Sequence, residues 1–263
     1  MLTFAGISPH PPLLIPNIGQ ENIKQVERTK AALEKLEQEL YAAKPDAVVI
    51  ISPHSPVMPD AFCINIAQNF SGNFSEFGDL ATKLNFRSNL AFSHRLKERL
   101  EDRRFSGLLI NQDNLDHGVL VPLFYLTPHL PDLPLTPISF SLLDLKTHFD
   151  FGRIISEEIH QTNQRIAVIA SGDLSHRLTK AAPAGYSQQG KVFDQKLIEL
   201  LQKKETAEII SLDPALVEEA GECGLRSIII LLGILNQKEY QPEILSYEGP
   251  FGVGYLVANF KLR

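Results

Sequence analysis

Eight histidines occur in the chain, at positions 10, 54, 94, 117, 129, 148, 160 and 176. Four of them share a setting that chemistry can use. "ISPHPPLL" begins at residue 7 and "ISPHSPVM" at residue 51, so Ile-Ser-Pro-His-x-Pro is written twice, each time after a short apolar run. His176 closes "SGDLSH" after the apolar run RIAVIAS, and His117 lies in "LDHG" between a short strand and a helix. Pro9 and Pro53 lack an N–H and restrict the serine before them, so each ends its strand's ladder and holds the next side chain above the sheet edge. Ligand sites of open α/β sheets form outside the carboxyl ends of strands. His10, His54, His117 and His176 are therefore expected to converge on one site. A single loop histidine is ordinarily a solvated or hydrogen-bonded side chain, but four in this context are hard to explain separately. His94, His148 and His160 read as ordinary helix residues, and His129 in "TPHLP" as a loop residue.

Two imidazoles and a carboxylate form the facial ligand set of non-haem Fe(II) centres, which leaves coordination positions open. Zn(II) or another divalent metal can use the same ligands. The best source of a third ligand is "AGECGLRS", residues 220–227, where Glu222 and Cys223 stand at the mouth of a helix. Glutamate favours iron, and a thiolate favours softer or zinc-like chemistry. Each also has a plain structural role, Glu222 as a helix-start carboxylate and Cys223 as a small buried residue. "YEGPFGVGY" has three glycines but no helix after it, so it reads as a turn walling the site rather than a phosphate loop. Ser171, Asp173, Ser175 and His176 carry the letters of a hydrolytic triad, too crowded for that geometry; Asp173 suits orienting a neighbouring histidine.

The elements that must position these residues follow from pattern. Buried strands are expected over 2–8, 47–52, 62–67, 107–110, 135–140 and 165–171, and helices over 22–43, 90–101, 119–125, 149–161, 193–202, 214–220 and 226–235. A strand pair, 243–248 with 253–260, closes the chain, and 68–85 reads as a loop whose Phe70, Phe74 and Phe77 wall a pocket. Alternating strands and helices predict an α/β fold, one domain over 1–263, with a central mostly parallel or mixed sheet covered by helices on both faces.

Lys and Arg number 25 against 31 Asp and Glu, a net charge of -6, and no basic cluster occurs, which argues against a nucleic-acid or anionic-membrane surface. The two cysteines, Cys63 and Cys223, are too far apart to form a disulfide framework. The N-terminus lacks the positive region of a signal peptide, and the longest apolar run, 228–235, is too short for a bilayer. A cytoplasmic protein is the expectation.

Taken in order, "SPHPPLL", "SPH", "LDHG", "SGDLSH", "ECGLRS" and "SYEGPFGVGY" resemble the class III extradiol ring-cleavage dioxygenases of the catalytic B-subunit type. The likeness is to the branch of the AmmeMemoRadiSam systems, related to Memo proteins, and runs from about Leu2 to the C-terminus. It implies Fe(II) bound by His10, His54 and Glu222, with Cys223 as the alternative third ligand, as in Memo-like proteins. It implies His117 and His176 as acid–base residues, with a small aromatic diol and O2 as substrates. Family B subunits associate, so the resemblance also admits a homo-oligomer and a separately encoded AMMECR1-type partner. Two other readings stay open, a metal-dependent hydrolase on the same scaffold and a Memo-like protein that binds metal or a partner without turnover.

Overall fold

Short β-branched runs that are apolar at every position need cover on both faces of their sheet. The computed structural model of the chain describes residues Met1–Arg263, and its strands meet that need. They are β1 (Leu2–Ser8), β2 (Ala47–Ser52), β3 (Phe62–Asn65), β4 (Asn69–Phe74), β5 (Asp79–Arg87), β6 (Gly107–Ile110), β7 (Leu135–Ser139), β8 (Ile166–Ser171), β9 (Tyr240–Glu248) and β10 (Tyr255–Leu262). The helices are α1 (Pro16–Gly19), α2 (Glu27–Ala43), α3 (Leu90–Asp102), α4 (His117–Leu126), α5 (Leu145–Gln161), α6 (Gln188–Lys203), α7 (Thr206–Ile210), α8 (Pro214–Ala220) and α9 (Leu225–Ile234).

Eight strands form one mixed sheet in the order β6-β3-β7-β2-β8-β1-β10-β9. β1 and β2 both lie parallel to β8, and β2 also to β7, while β10 runs antiparallel to β1 and β9. Successive side chains of a strand point to opposite faces. On β2, Val49 and Ile51 enter a core with α3, α5, α6 and α9, while Val48 and Ile50 enter a second core with α2 and α4. The α/β class, the mixed sheet and the two covered faces agree with the expectation. No helix is long and apolar enough to cross a membrane. Both cysteines are free.

Several boundaries differ for local reasons. Residues 20–26 form a 3-10 turn, so the first long helix starts at Glu27 rather than Asn22. Asp116, Asp144 and Ser187 each accept a backbone N–H as N-caps, which starts α4, α5 and α6 earlier than their apolar periodicity suggests. The stretch 68–85 is not a loop but the hairpin β4–β5, with alternate residues of β4 buried. Its Ser, Asn and Gly content hides the strand pattern, while Phe70 and Phe74 are fully buried core residues rather than pocket walls. His148 is also buried: its Nδ1 meets the Asp144 carbonyl at 2.7 Å and its Nε2 accepts from the Ser141 N–H at 3.3 Å, tying α5 to the loop before it. His94 and His160 are exposed helix residues, and His129 pairs with Glu37 in a loop.

Candidate metal centre and its cleft

β1, β2 and β8 are parallel neighbours, so their carboxyl ends rise on one side of the sheet. The Ser-Pro-His corners after β1 and β2 therefore place His10 and His54 together, with their Nε2 atoms 3.0 Å apart. His10 is 2% exposed and held from two sides. Its backbone N–H donates to Asp173 Oδ1 at 3.0 Å, and its Nδ1 lies 2.9 Å from Ser171 Oγ. Ser171 Oγ gives its only proton to the Gly118 carbonyl at 2.5 Å, so it must accept from His10 Nδ1–H. The lone pair of neutral His10 is thus on Nε2 and faces His54.

Cys223 completes the cluster. Its Sγ lies 3.6 Å from His10 Nε2 and accepts the Asp173 N–H at 3.3 Å. The approach depends on two glycines: a Cβ on Gly172 would lie 2.2 Å from the Gly224 Cα, so only glycine lets these two turns meet. Nitrogen and sulfur ligands at about 2.1 and 2.3 Å from one ion stand roughly 3.0–3.6 Å apart, the spacing of His10 Nε2 from its two neighbours. The ligand atoms of His10, His54 and Cys223 all lie within 4.8 Å of one another and could hold a metal ion. Imidazole and thiolate together suit a divalent transition ion, iron and zinc included.

Glu222, the other candidate third ligand, is not brought into this cluster. Its Oε2 accepts the Leu225 N–H at 2.5 Å, capping α9, and its side chain lines a separate pocket with Leu143, Leu145 and Arg226. Sequence could not separate the two because adjacent residues leave a turn in different directions, and Gly221, at φ +59°, sets which one faces His10.

His117 and His176 flank the cluster. The His117 ring lies 4.1 Å from that of His54 and 5.2 Å from that of Phe77, centroid to centroid. His176 is close enough that its charge would disfavour charge on His10 and that charge on His54 would disfavour its own, and its Nδ1 is buried without a partner. Burial lowers the pKa of all four histidines, most strongly at His10, where charge on the other three would add to the effect. Each is then neutral near pH 7 and free to bind a metal or accept a proton. Burial raises Asp173 to about 7 and pushes the Cys223 thiol well above its usual range.

Asp116 is the residue the sequence reasoning missed, although "LDHG" displays it. Its Oδ1 accepts from Ser52 Oγ and its Oδ2 from Ser55 Oγ, both at 2.6 Å, and Ser52 Oγ accepts the His54 N–H at 3.2 Å. One carboxylate thereby fixes the His54 corner to the start of the His117 helix. Asp194 does the corresponding work for His176. Fully buried, it accepts from the Ser175 N–H at 2.8 Å and from Tyr247 Oη at 2.6 Å. Nothing in its local sequence signals this. The glycine-rich stretch expected to wall the site instead latches the His176 loop: Leu174 N–H and Leu178 N–H donate to the Gly254 and Gly252 carbonyls.

The cluster opens onto a cleft of about 600 Å3, reached by His54 and His117 and walled by Phe77 and the 111–116 loop. A buried histidine, a cleft-facing one, a half-buried thiol and two more neutral histidines beside them can hold a metal and move protons next to it.

Comparison with known proteins places this arrangement. Residues 4–258 match the family described as the catalytic LigB subunit of aromatic ring-opening dioxygenase. The chain belongs to that family. Among relatives of this LigB chain, a Clostridium acetobutylicum protein carrying only a locus name is 31% identical over 96% of the chain, and the chain spans 56% of that protein's length. The 2-aminophenol 1,6-dioxygenase beta subunit of a Pseudomonas species is 23% identical, over 97% of this chain and 92% of its own. The 4,5-DOPA dioxygenase extradiol of Beta vulgaris is 27% identical over 64% of each. The crystal structure of an uncharacterized Escherichia coli protein shares the fold, with a TM-score of 0.71 at 18% identity over 98% of the LigB chain and 99% of its own.

Proposed function

We propose that this chain opens an aromatic ring carrying adjacent hydroxyl groups, or a hydroxyl beside an amino group, with O2 and an Fe(II) ion held by His10, His54 and Cys223. The observation that carries the proposal is the apposition of two imidazole Nε2 atoms and a thiol beside a cleft lined by His54 and His117. A bound ion would supply Lewis acidity toward the adjacent ring heteroatoms and a redox partner for O2. The chain's residues do the rest. Ser171 and Asp173 hold His10 in the tautomer whose Nε2 is a ligand. His176, neutral and with a free Nδ1, takes the proton of the ring hydroxyl. His117, lying between His54 and Phe77, hydrogen-bonds the reacting oxygen and returns a proton to it. Phe77 offers the ring an aromatic wall.

A proton-transfer residue contributes about 10²–10⁴-fold. His176→Ala is accordingly expected to keep its metal and lose most turnover of a catechol; turnover equal to wild type would remove His176 from this role. The beta-subunit name of the Pseudomonas relative makes a multi-subunit assembly part of the same reading, with a homo-oligomer the simplest form. The thiol at the third position favours one other reading, a Memo-like protein that binds metal without turnover, since a carboxylate is the usual partner of two histidines on non-haem iron. Ring opening by the iron-loaded protein decides between them.

A further inference from the structure

The cleft beyond the histidines has a chemical character of its own. None of its lining residues is Lys or Arg. It carries the carboxylates of Glu76 and Asp113 and the side-chain amides of Asn73, Asn111 and Asn114. Neither Glu76 nor Asp113 belongs to an ion pair. Asp116, the third carboxylate of the lining, is spoken for by Ser52, Ser55 and the Val119 N–H. The outer cleft therefore faces a ligand with two uncompensated negative charges and a set of amide dipoles.

This wall is built before any ligand arrives. The Asn65 side chain donates to the Gln112 carbonyl at 2.7 Å and accepts the Gln112 N–H at 3.1 Å. Ser71 N–H donates to the Asp113 carbonyl, and Leu115 N–H to the Ser71 carbonyl, each at 2.8 Å. The loop 111–116 is thus stitched to the hairpin that carries Glu76 and Phe77. A ring placed against Phe77 and His117 would direct any substituent outward along this wall.

Resting on the ring-opening reading above, we infer that the substrate class is an aromatic diol or aminophenol whose side chain is neutral and polar or carries a protonated amine, and that the cleft rejects a ring bearing a carboxylate. A carboxylate tail would meet Glu76 and Asp113 with no cation to offset them, whereas an ammonium would be drawn to both.

Three ligands of similar shape test this: dopamine, 4-propylcatechol and dihydrocaffeate, whose two-carbon tails end in an ammonium, a methyl and a carboxylate. Binding is measured by calorimetry with the anaerobic Fe(II)-loaded protein and with the metal-free protein, and ring opening is followed separately on adding O2. Dopamine is expected to bind about 10–100-fold more tightly than dihydrocaffeate, with 4-propylcatechol between, and added salt should narrow the gap. Glu76→Gln with Asp113→Asn should compress the ratio toward one; both positions are exposed. Equal affinities, tighter dihydrocaffeate, binding of none, or an unchanged ratio in the double variant would each overturn the inference. The expected order of binding without ring opening would sustain it and count against the dioxygenase reading instead.

Discussion

The same six-residue pattern closes β1 and β2, yet the two corners end in opposite environments. His10 is buried and gripped by Ser171 and Asp173, while His54 is exposed, its backbone tied to Ser52 and Asp116 and its ring within hydrogen-bond distance of His10 alone. The difference comes from neighbours rather than from the pattern. β1 lies between β8 and β10, and the turns after β8 and before α9 fold over its end. β2 lies between β8 and β7, and the space above its corner is the cleft. One corner is thus closed and preorganised, and the other faces the open cleft of the same site. A Pro-terminated strand decides where a side chain stands; the adjacent strands decide what surrounds it.

Removing each ring should break the symmetry of the pattern most visibly. His10→Ala leaves a cavity and removes the Nδ1–H donor to Ser171, and is expected to lower stability by about 2–4 kcal/mol as well as to abolish metal uptake. His54→Ala should weaken metal binding with a stability change of at most about 0.5 kcal/mol, as for other exposed positions. Denaturant unfolding and metal stoichiometry of both variants check this; equal losses of stability would mean the corners are not as different as their burial indicates.

A smaller effect sharpens the closed side. Burial raises the Asp194 carboxyl from 3.8 to about 6, against the hydrogen bonds from Tyr247 and Ser175. The folded protein then keeps a proton that the unfolded chain has already lost, so the penalty is absent below about pH 4 and grows as pH rises through that window. Relative to Asp194→Asn, the wild type should lose roughly 3 kcal/mol of stability between about pH 4 and pH 7. A flat difference across that range would remove the titrating buried carboxyl from the account.

A similarly small effect belongs to the open side. Ser55→Ala removes one of the hydrogen bonds to Asp116 at a half-buried position and should cost no more than about 0.5–1.5 kcal/mol. A loss as large as that of His10→Ala would show the open corner to be as rigid as the closed one.

These contrasts mark where sequence stopped being informative. The strands, the mixed sheet and the meeting of His10, His54, His117 and His176 are legible because proline corners and apolar runs are local features. Which of Glu222 and Cys223 faces His10 was not: they are neighbours, and the close approach of Gly172 to Gly224 goes with a thiol beside His10 and a carboxyl at the start of α9. The hairpin β4–β5 was hidden by its polar residues, since its strand pairing rests on backbone bonds and one buried face. Asp194 and Tyr247 lie 53 residues apart in sequence, and no local pattern announces so distant a pair.

The central claim is that sulfur from Cys223, with His10 and His54, makes the metal centre. Iron-edge X-ray absorption of the anaerobically Fe(II)-reconstituted protein tests it most directly. The account predicts one sulfur scatterer at about 2.3 Å beside nitrogen neighbours, lost in Cys223→Ser and retained in Glu222→Gln. A shell of nitrogen and oxygen alone, or iron lost from Glu222→Gln and kept by Cys223→Ser, would contradict it.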